Sequence, residues 1–174
     1  SETFTCISRE ECLVASSPYS PEEKFMRLAI AEALAAQKGG DYAIGAVVVL
    51  NGSVLASSGN RIKIECDPTQ HAEVAAIRLA CASLRTRHLE GAILYPTAEP
   101  CPMCASAAIW ARMSGIISGS TISDMAEFRE KFGTTEWTWR TVDLAARAIL
   151  DQGDPKLFLV EGFLRNECRS LFHD

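Results

Sequence analysis

His71, Glu73, Cys101 and Cys104 are the side chains in this sequence that could do chemistry together. Cys101 and Cys104 stand in "EPCPMCAS", at the start of an apolar stretch with helical character. Residues i and i+3 share one helix face, so both sulfurs can point to one spot. A helix N-terminus carries partial positive charge and lowers the pKa of a thiol, and thiolate is the form that binds metal. Pro100 and Pro102 fix the backbone at the entry. Taken alone, this spacing leaves a disulfide, a redox pair, half a metal site and two small buried residues all open.

His71 opens a second helical stretch, "HAEVAAIRLACASL", and Glu73 follows two residues on. His71, Cys101 and Cys104 together offer three soft or borderline ligands, which suit Zn²⁺. A structural zinc site takes four protein ligands, and Cys66, in the loop before His71, is the candidate for the fourth. Cys81 lies nearly three helical turns past His71, roughly 15 Å along the axis, and cannot reach. With no clear fourth ligand the open position goes to water, and the site is catalytic in form. A carboxylate at Glu73 beside such a water can take its proton and hand it on, a contribution of about 10²–10⁴-fold. Glu73 equally suits the positive end of a helix as a simple dipole partner. His88 and His173 read as structural histidines.

The elements that must position these groups are legible from pattern. Ser20 is placed to cap a helix that starts at Pro21, carries Glu22 and Glu23 in its first turn and stops at Gly39-Gly40. "AIGAVVVL" (43–50) is β-branched and predicts a buried strand, and Asn51-Gly52 predicts a hairpin into "SVLASSG". Residues 60–70 read as a loop. The His71 helix, a strand at "AILYPT", the Cys101 helix and a strand at "GIISG" follow. Ser123 is placed to cap a helix over "SDMAEFREKF". Residues 138–151 read as helical, "KLFLVEG" as a strand and "FLRNECRSLF" as a final helix. This alternation predicts an α/β fold, a mixed sheet of about five strands with helices on both faces. The His71 and Cys101 helices would then start at one edge of the sheet, where such folds place their sites.

Composition narrows the class of function. A length of 174 residues predicts a single domain, 1–174, with an irregular extension over 1–20. Hydrophobic residues at 48% and charged residues at 22% fit a soluble globular chain, and no apolar run is long enough to span a membrane. The first residues show no basic segment followed by an apolar one, so no secretion signal is read there. Seven cysteines, an odd number and scattered, predict reduced thiols in a cytoplasmic setting rather than a disulfide scaffold. A net charge of −5 favours a small-molecule substrate over nucleic acid, whose phosphates call for a basic face. A local basic patch, for instance at "RTRH" (85–88), reads as a solvated helix end.

His-x-Glu followed by Pro-Cys-x-x-Cys resembles the signature of the zinc deaminases. It stands here as "HAE" at 71–73 and "PCPMC" at 100–104. The chain is similar to the cytidine-deaminase-like superfamily, and within it to the branch of the guanine deaminases and tRNA adenosine deaminases. The likeness runs from about Phe25 to Met125 and includes "IGAVVV", "GN" at 59–60, "DPTQHAEVAAIR", "LYPTAEPCPMC" and "AIWARM". It implies a three-layer α/β/α sandwich and hydrolytic deamination, with one Zn²⁺ per chain on His71, Cys101 and Cys104 and a catalytic water. Glu73 would deprotonate that water, protonate a ring nitrogen and then protonate the leaving amine. Asn60 would hydrogen-bond the base, though it also suits a polar turn at a strand end. The backbone N–H of Ala72 would orient the substrate, and Ile44, Glu99 and Pro100 would complete the contacts. A homodimer, with a swapped C-terminal segment as one form of it, is also implied.

Two substrate readings compete. "SDMAE" at 123–127 resembles a segment of guanine deaminases, and the acidic charge agrees with a free base. Against it, those enzymes have Phe where this chain has Ile44, and their Gly-Phe-Asp-Asp stretch is missing. Ile44 and "VEGFLRNECRSLF" resemble the tRNA enzymes, whose Ala-Arg-Asp and basic extension are missing in turn. A free amino-purine or related nucleobase or nucleoside is preferred, with tRNA adenosine as the alternative and a non-catalytic zinc-binding scaffold as the rival from another class. Residues 132–174 read as a variable specificity segment. Within it, "EWTWR" carries Trp137 and Trp139, which read either as packing residues or as an aromatic lid over the base.

Overall fold

The β-branched run forms strand β1 (Gly45–Leu50), and the chain reverses at Asn51-Gly52 into β2 (Ser53–Gly59). Both turn residues have positive φ, 50° and 72°, as the tight hairpin favoured by Asn-Gly demands. β3 (Ile93–Pro96) lies antiparallel to the other side of β1. β4 (Gly115–Ile117) and β5 (Phe158–Val160) continue in parallel, giving the order β2-β1-β3-β4-β5. This is the mixed five-stranded sheet that the pattern calls for. The computed structural model describes residues 19–134 and 142–172.

The helices are α1 (Glu23–Lys38), α2 (Ile62–Glu65), α3 (Ala72–Leu84), α4 (Pro102–Trp110), α5 (Ile122–Phe132), α6 (Ala146–Leu150) and α7 (Arg165–Ser170). Side chains alternate across a strand, and the two faces sort accordingly. Val47 and Val49 of β1 pack with Phe25, Met26 and Ala29 of α1, joined by Cys168 of α7. Ala46 and Val48 pack with Ala72 and Ala76 of α3, Ala105 and Ala108 of α4, and Ala146 and Leu150 of α6. Helices therefore cover both faces, and the fold is a three-layer α/β/α sandwich. Small residues let α1 lie close on the sheet. A Cβ at Gly45 would stand 1.9 Å from the Ala29 carbonyl oxygen, so that position admits only glycine. Among the described residues no helix is long and apolar enough to cross a membrane.

Where α1, α2 and α6 depart from expectation, an acceptor from elsewhere in the fold explains it. α1 begins at Glu23 with Glu22, not Ser20, in the cap position. The Glu22 N–H donates to the Tyr95 hydroxyl at 3.2 Å, so a core tyrosine does the work expected of Ser20. The loop over 60–70 contains the one-turn α2, whose Lys63 and Ile64 N–H groups donate to the Asp41 carboxylate at 2.8 and 3.1 Å. Of the helix expected over 138–151, residues 138–141 lie outside the described residues, and within 142–151 the helix is α6, whose Ala146 N–H donates to the Glu99 carboxylate at 2.9 Å. α5 is capped by Thr121 rather than Ser123, in a reciprocal box with Asp124.

Asp124 is 1% exposed and accepts two hydrogen bonds from Arg165, at 2.9 Å each. Burial pushes its carboxyl up, but the bonds from Arg165 and Thr121 outweigh this and hold it below the usual carboxylate range. A carboxylate with a depressed folded pKa adds stability that is present above its unfolded value and lost as pH falls through the folded one. Asp124→Asn is therefore expected to lower Tm at neutral pH and to flatten the decline in Tm between neutral pH and about pH 3. Thermal melts across that range check it, and a variant that keeps the wild-type slope refutes it.

Candidate metal centre and active site

The sheet brings the N-terminal end of β1 and the C-terminal ends of β2 and β3 to one edge, since Gly45 pairs with Gly59 and Ala46 with Pro96. α3 and α4 both start there, and His71 and Cys101 sit at their N-cap positions in extended backbone. Pro102 occupies the first helical position of α4, and Cys104 lies in its first turn. The turn before His71 is set by Asp67, whose carboxylate accepts from the Thr69 N–H and hydroxyl at 2.8 and 2.7 Å. The Arg61 N–H then donates to the Gln70 carbonyl at 3.0 Å, tying the His71 turn to the end of β2.

Three ligand atoms converge from these two helix starts. His71 Nδ1 is 3.6 Å from Cys101 Sγ and 3.5 Å from Cys104 Sγ, and the two sulfurs are 3.6 Å apart. Zn–S bonds of about 2.3 Å and Zn–N bonds of about 2.1 Å at tetrahedral angles imply S···S near about 3.8 Å and N···S near about 3.6 Å. The triangle fits one face of a tetrahedral zinc site, and its sulfurs are far from the bonded distance of a disulfide, about 2 Å. Among the described residues no fourth side chain joins this group. Cys66, the candidate for that place, is exposed at the left-handed end of α2, with its thiol 3.7 Å from the Lys63 carbonyl.

The electrostatics suit a cation. Cys101 is lowered to about 4, first by its hydrogen bond with Cys104 and further by His71, against the cost of burial. Cys104, which shares that bond and is deeply buried, is pushed up. A bound cation favours the deprotonated form of both thiols, which is the form that ligates metal. Glu73 is 4% exposed, in the first turn of α3. Burial is the main cause that raises its carboxyl, which also interacts with the Cys104 thiol and lies in the fields of His71 and Cys101. A buried carboxyl with a raised proton affinity, set against a metal triangle, is the arrangement of a proton carrier.

Ile44, Asn60, Ala72, Glu99 and Pro100 gather at the same edge. Ile44 is half-buried and its carbonyl accepts from the Asn60 N–H at 2.9 Å. Ala72 is the first residue of α3, so its N–H has no acceptor within the helix. Pro100 is buried beside Cys101. Glu99, assigned to substrate by resemblance, accepts from the backbone N–H groups of Ile122 at 2.7 Å and Ala146 at 2.9 Å. Its oxygens join α5 and α6 to the site loop. Trp137 and Trp139 lie outside the described residues. Asp41, which bonds Asn60, was not legible in the sequence, where it follows Gly39-Gly40 as an ordinary loop acid.

The profile of the cytidine and deoxycytidylate deaminase zinc-binding region matches residues 19–120. The chain is 49% identical over 96 residues to a tRNA-specific adenosine deaminase of Agrobacterium fabrum, a match covering 55% of this chain and 63% of that protein. It thus spans less than two thirds of that relative's length. It is 41% identical over 108 residues to the guanine deaminase of Bacillus subtilis, covering 60% of this chain and 68% of that one. A solved structure from work on tRNA:A34 deaminases superposes with a TM-score of 0.68 at 34% identity, over 86% of this chain and 99% of the other.

Proposed function

The chain belongs to the family of the cytidine and deoxycytidylate deaminase zinc-binding region, and from that premise we propose that it is a zinc-dependent hydrolytic deaminase acting on a free amino-purine or related nucleobase or nucleoside. The observation that carries this reading is the buried Glu73 carboxyl against the His71, Cys101 and Cys104 triangle. His71 Nδ1 and the two Sγ atoms would hold the ion. When bound, zinc supplies a water whose pKa is lowered to about 7 and a Lewis acid beside the reacting carbon. Glu73 takes up the proton released as that carbon is attacked and delivers it to the ring nitrogen, then takes the proton of the new carbon-bound hydroxyl and passes it to the departing amine. Water is consumed, a carbonyl replaces the amino group, and ammonia leaves. Asn60, the Ala72 N–H, Ile44 and Pro100 orient the base. The chain works as one deaminase domain in which residues 132–174 vary with substrate.

Charge supports a small substrate. Net charge is −5, and the arginines of the C-terminal elements face carboxylates. Arg129 meets Asp143 at 3.1 Å, Arg147 meets Glu161 at 3.7 Å, Arg165 meets Asp124 at 2.9 Å and Arg169 meets Glu127 at 3.0 Å. Binding to a phosphate backbone draws on positive charge that is free to displace counterions. A second reading, adenosine in tRNA, is favoured by the similarity to the Agrobacterium enzyme. "SDMAE" weighs less for guanine than its letters suggest, because Asp124 is engaged as a cap and by Arg165.

The test is ammonia release by the zinc-loaded protein from guanine, adenine, cytosine, their nucleosides, amino-triazines, pterins and a tRNA anticodon stem-loop. Turnover of a free base or nucleoside is expected. Activity on the stem-loop alone would transfer the assignment to the second reading. Stoichiometric zinc with no ammonia from any of them would make the chain a zinc-binding scaffold.

A further inference from the structure

The amide of Asn60 is bonded at one end only. Asn60 is 1% exposed, and its Nδ2 donates to Asp41 Oδ1 at 2.8 Å. Its Oδ1 is buried and has no hydrogen-bond partner among the described residues. Buried side-chain polar atoms are nearly always paired, and an unpaired acceptor is costly, so an orphan at a site edge points to a missing donor. Asn60 stands at that edge: its N–H bonds the Ile44 carbonyl, and the next N–H, of Arg61, bonds the Gln70 carbonyl beside His71.

Asp41 explains why the oxygen is the end left over. It is 5% exposed, and it accepts from Tyr42 N–H at 2.8 Å as well as from Asn60, Lys63 and Ile64. Burial pushes its carboxyl up, but these donors outweigh burial and keep it below the usual carboxylate range. An ionised carboxylate only accepts hydrogen bonds, so the Asn60 amide must turn its NH₂ to Asp41 and its oxygen away. Capping α2 requires Oδ2 alone, and the bond from Oδ1 to Asn60 lies outside that structural task.

We propose that Asp41 is a positioning residue that fixes the Asn60 amide with Oδ1 as the acceptor offered to substrate, so that the site takes a base presenting an N–H there and disfavours one presenting a lone pair. The inference rests on the functional reading above, because it needs Asn60 in the substrate pocket.

Asp41→Asn tests it. The substitution keeps size and retains an acceptor for α2, but exchanges one acceptor for a donor, and Asn60 loses its single orientation. The readout is kcat/KM for ammonia release, with the compound that turns over in the panel above, for wild type, Asp41→Asn, Asn60→Ala and the double variant. Each single change is expected to lower kcat/KM about tenfold, mostly through KM, with zinc content unchanged. On the Asn60→Ala background, Asp41→Asn should add less than about twofold, since residues acting through one contact are not additive. A wild-type KM in Asp41→Asn, or losses that multiply in the double variant, would overturn the proposal. Hydrogen exchange of the Asn60 side-chain amide, read by ¹⁵N NMR on the wild-type zinc protein, needs no variant to fold. Slow exchange is expected, and rapid exchange overturns the proposal whatever the substrate. If no compound releases ammonia, the functional reading and this inference fall together. If ammonia is released and the cycle is additive, only the inference falls.

Discussion

Glu73→Gln is expected to remove nearly all turnover while leaving the zinc site and the fold in place. Proton transfer by a positioned carboxylate contributes about 10²–10⁴-fold, and an amide can neither take up nor return that proton. Two features make this substitution the sharp one. Glu73 is 4% exposed, so an isosteric Gln avoids the cavity that Ala would leave. Burial is also the main cause that raises its carboxyl, which means the fold already resists a charge at that position. An isosteric amide leaves the packing in place, and Tm should hold. Turnover per zinc, metal content by atomic emission and a thermal melt on the same preparation separate the effects. A Gln variant with wild-type turnover and full zinc would remove Glu73 from the chemistry. A variant that loses zinc would show that the carboxyl supports the ion.

What could be read from the sequence was what local chemistry dictates. The uninterrupted apolar run along 45–50 marks a strand buried on both faces, and the structure sorts Val47 and Val49 from Ala46 and Val48 as strand geometry requires. Asn-Gly fixes its own turn through positive φ. Cysteines three apart after a proline share one face of a helix start, and that alone aligns their sulfurs. Convergence with His71 is a tertiary fact, but the α/β alternation anticipates it by starting both helices at one sheet edge.

What could not be read was every interaction in which a side chain serves backbone far away. Tyr95 looks like a core aromatic in its strand, yet its hydroxyl sets the start of α1 across 73 positions. Glu99 stands within the motif and invites a role in binding, while its carboxylate reaches Ala146 across 47 positions. Asp41 carries no local pattern, because its partners in α2 and at Asn60 come together only when β1 and β2 close the hairpin. Caps of this sort obey the rule of satisfied helix ends, but the identity of the donor or acceptor is set by the fold. Sequence patterning therefore gives the chemistry of the centre more readily than the frame that orients it.

Removal of zinc is expected to abolish turnover yet leave a folded protein. His71, Cys101 and Cys104 join the starts of α3 and α4, and so cross-link two helix ends at one sheet edge. The apolar clusters on the two sheet faces are built from α1, α3, α4 and the strands, and they do not depend on that cross-link. A ligand that binds only the folded state stabilises it by about 4 kcal/mol when free at a thousandfold its Kd. For a domain of this size that corresponds to roughly 8–16 °C in Tm. Chelation should therefore lower Tm by about that amount, retain the far-UV circular dichroism of an α/β protein, and be reversed by added zinc. Cys104→Ala should reproduce the loss of activity without reversal. Cys104 is fully buried, and replacing it by alanine deletes a single sulfur from the packing. Full zinc and full turnover in that variant would place the metal elsewhere. Loss of the circular dichroism signal on chelation would mean that the ion holds the fold together, and that the chain's own core is too weak to stand without it.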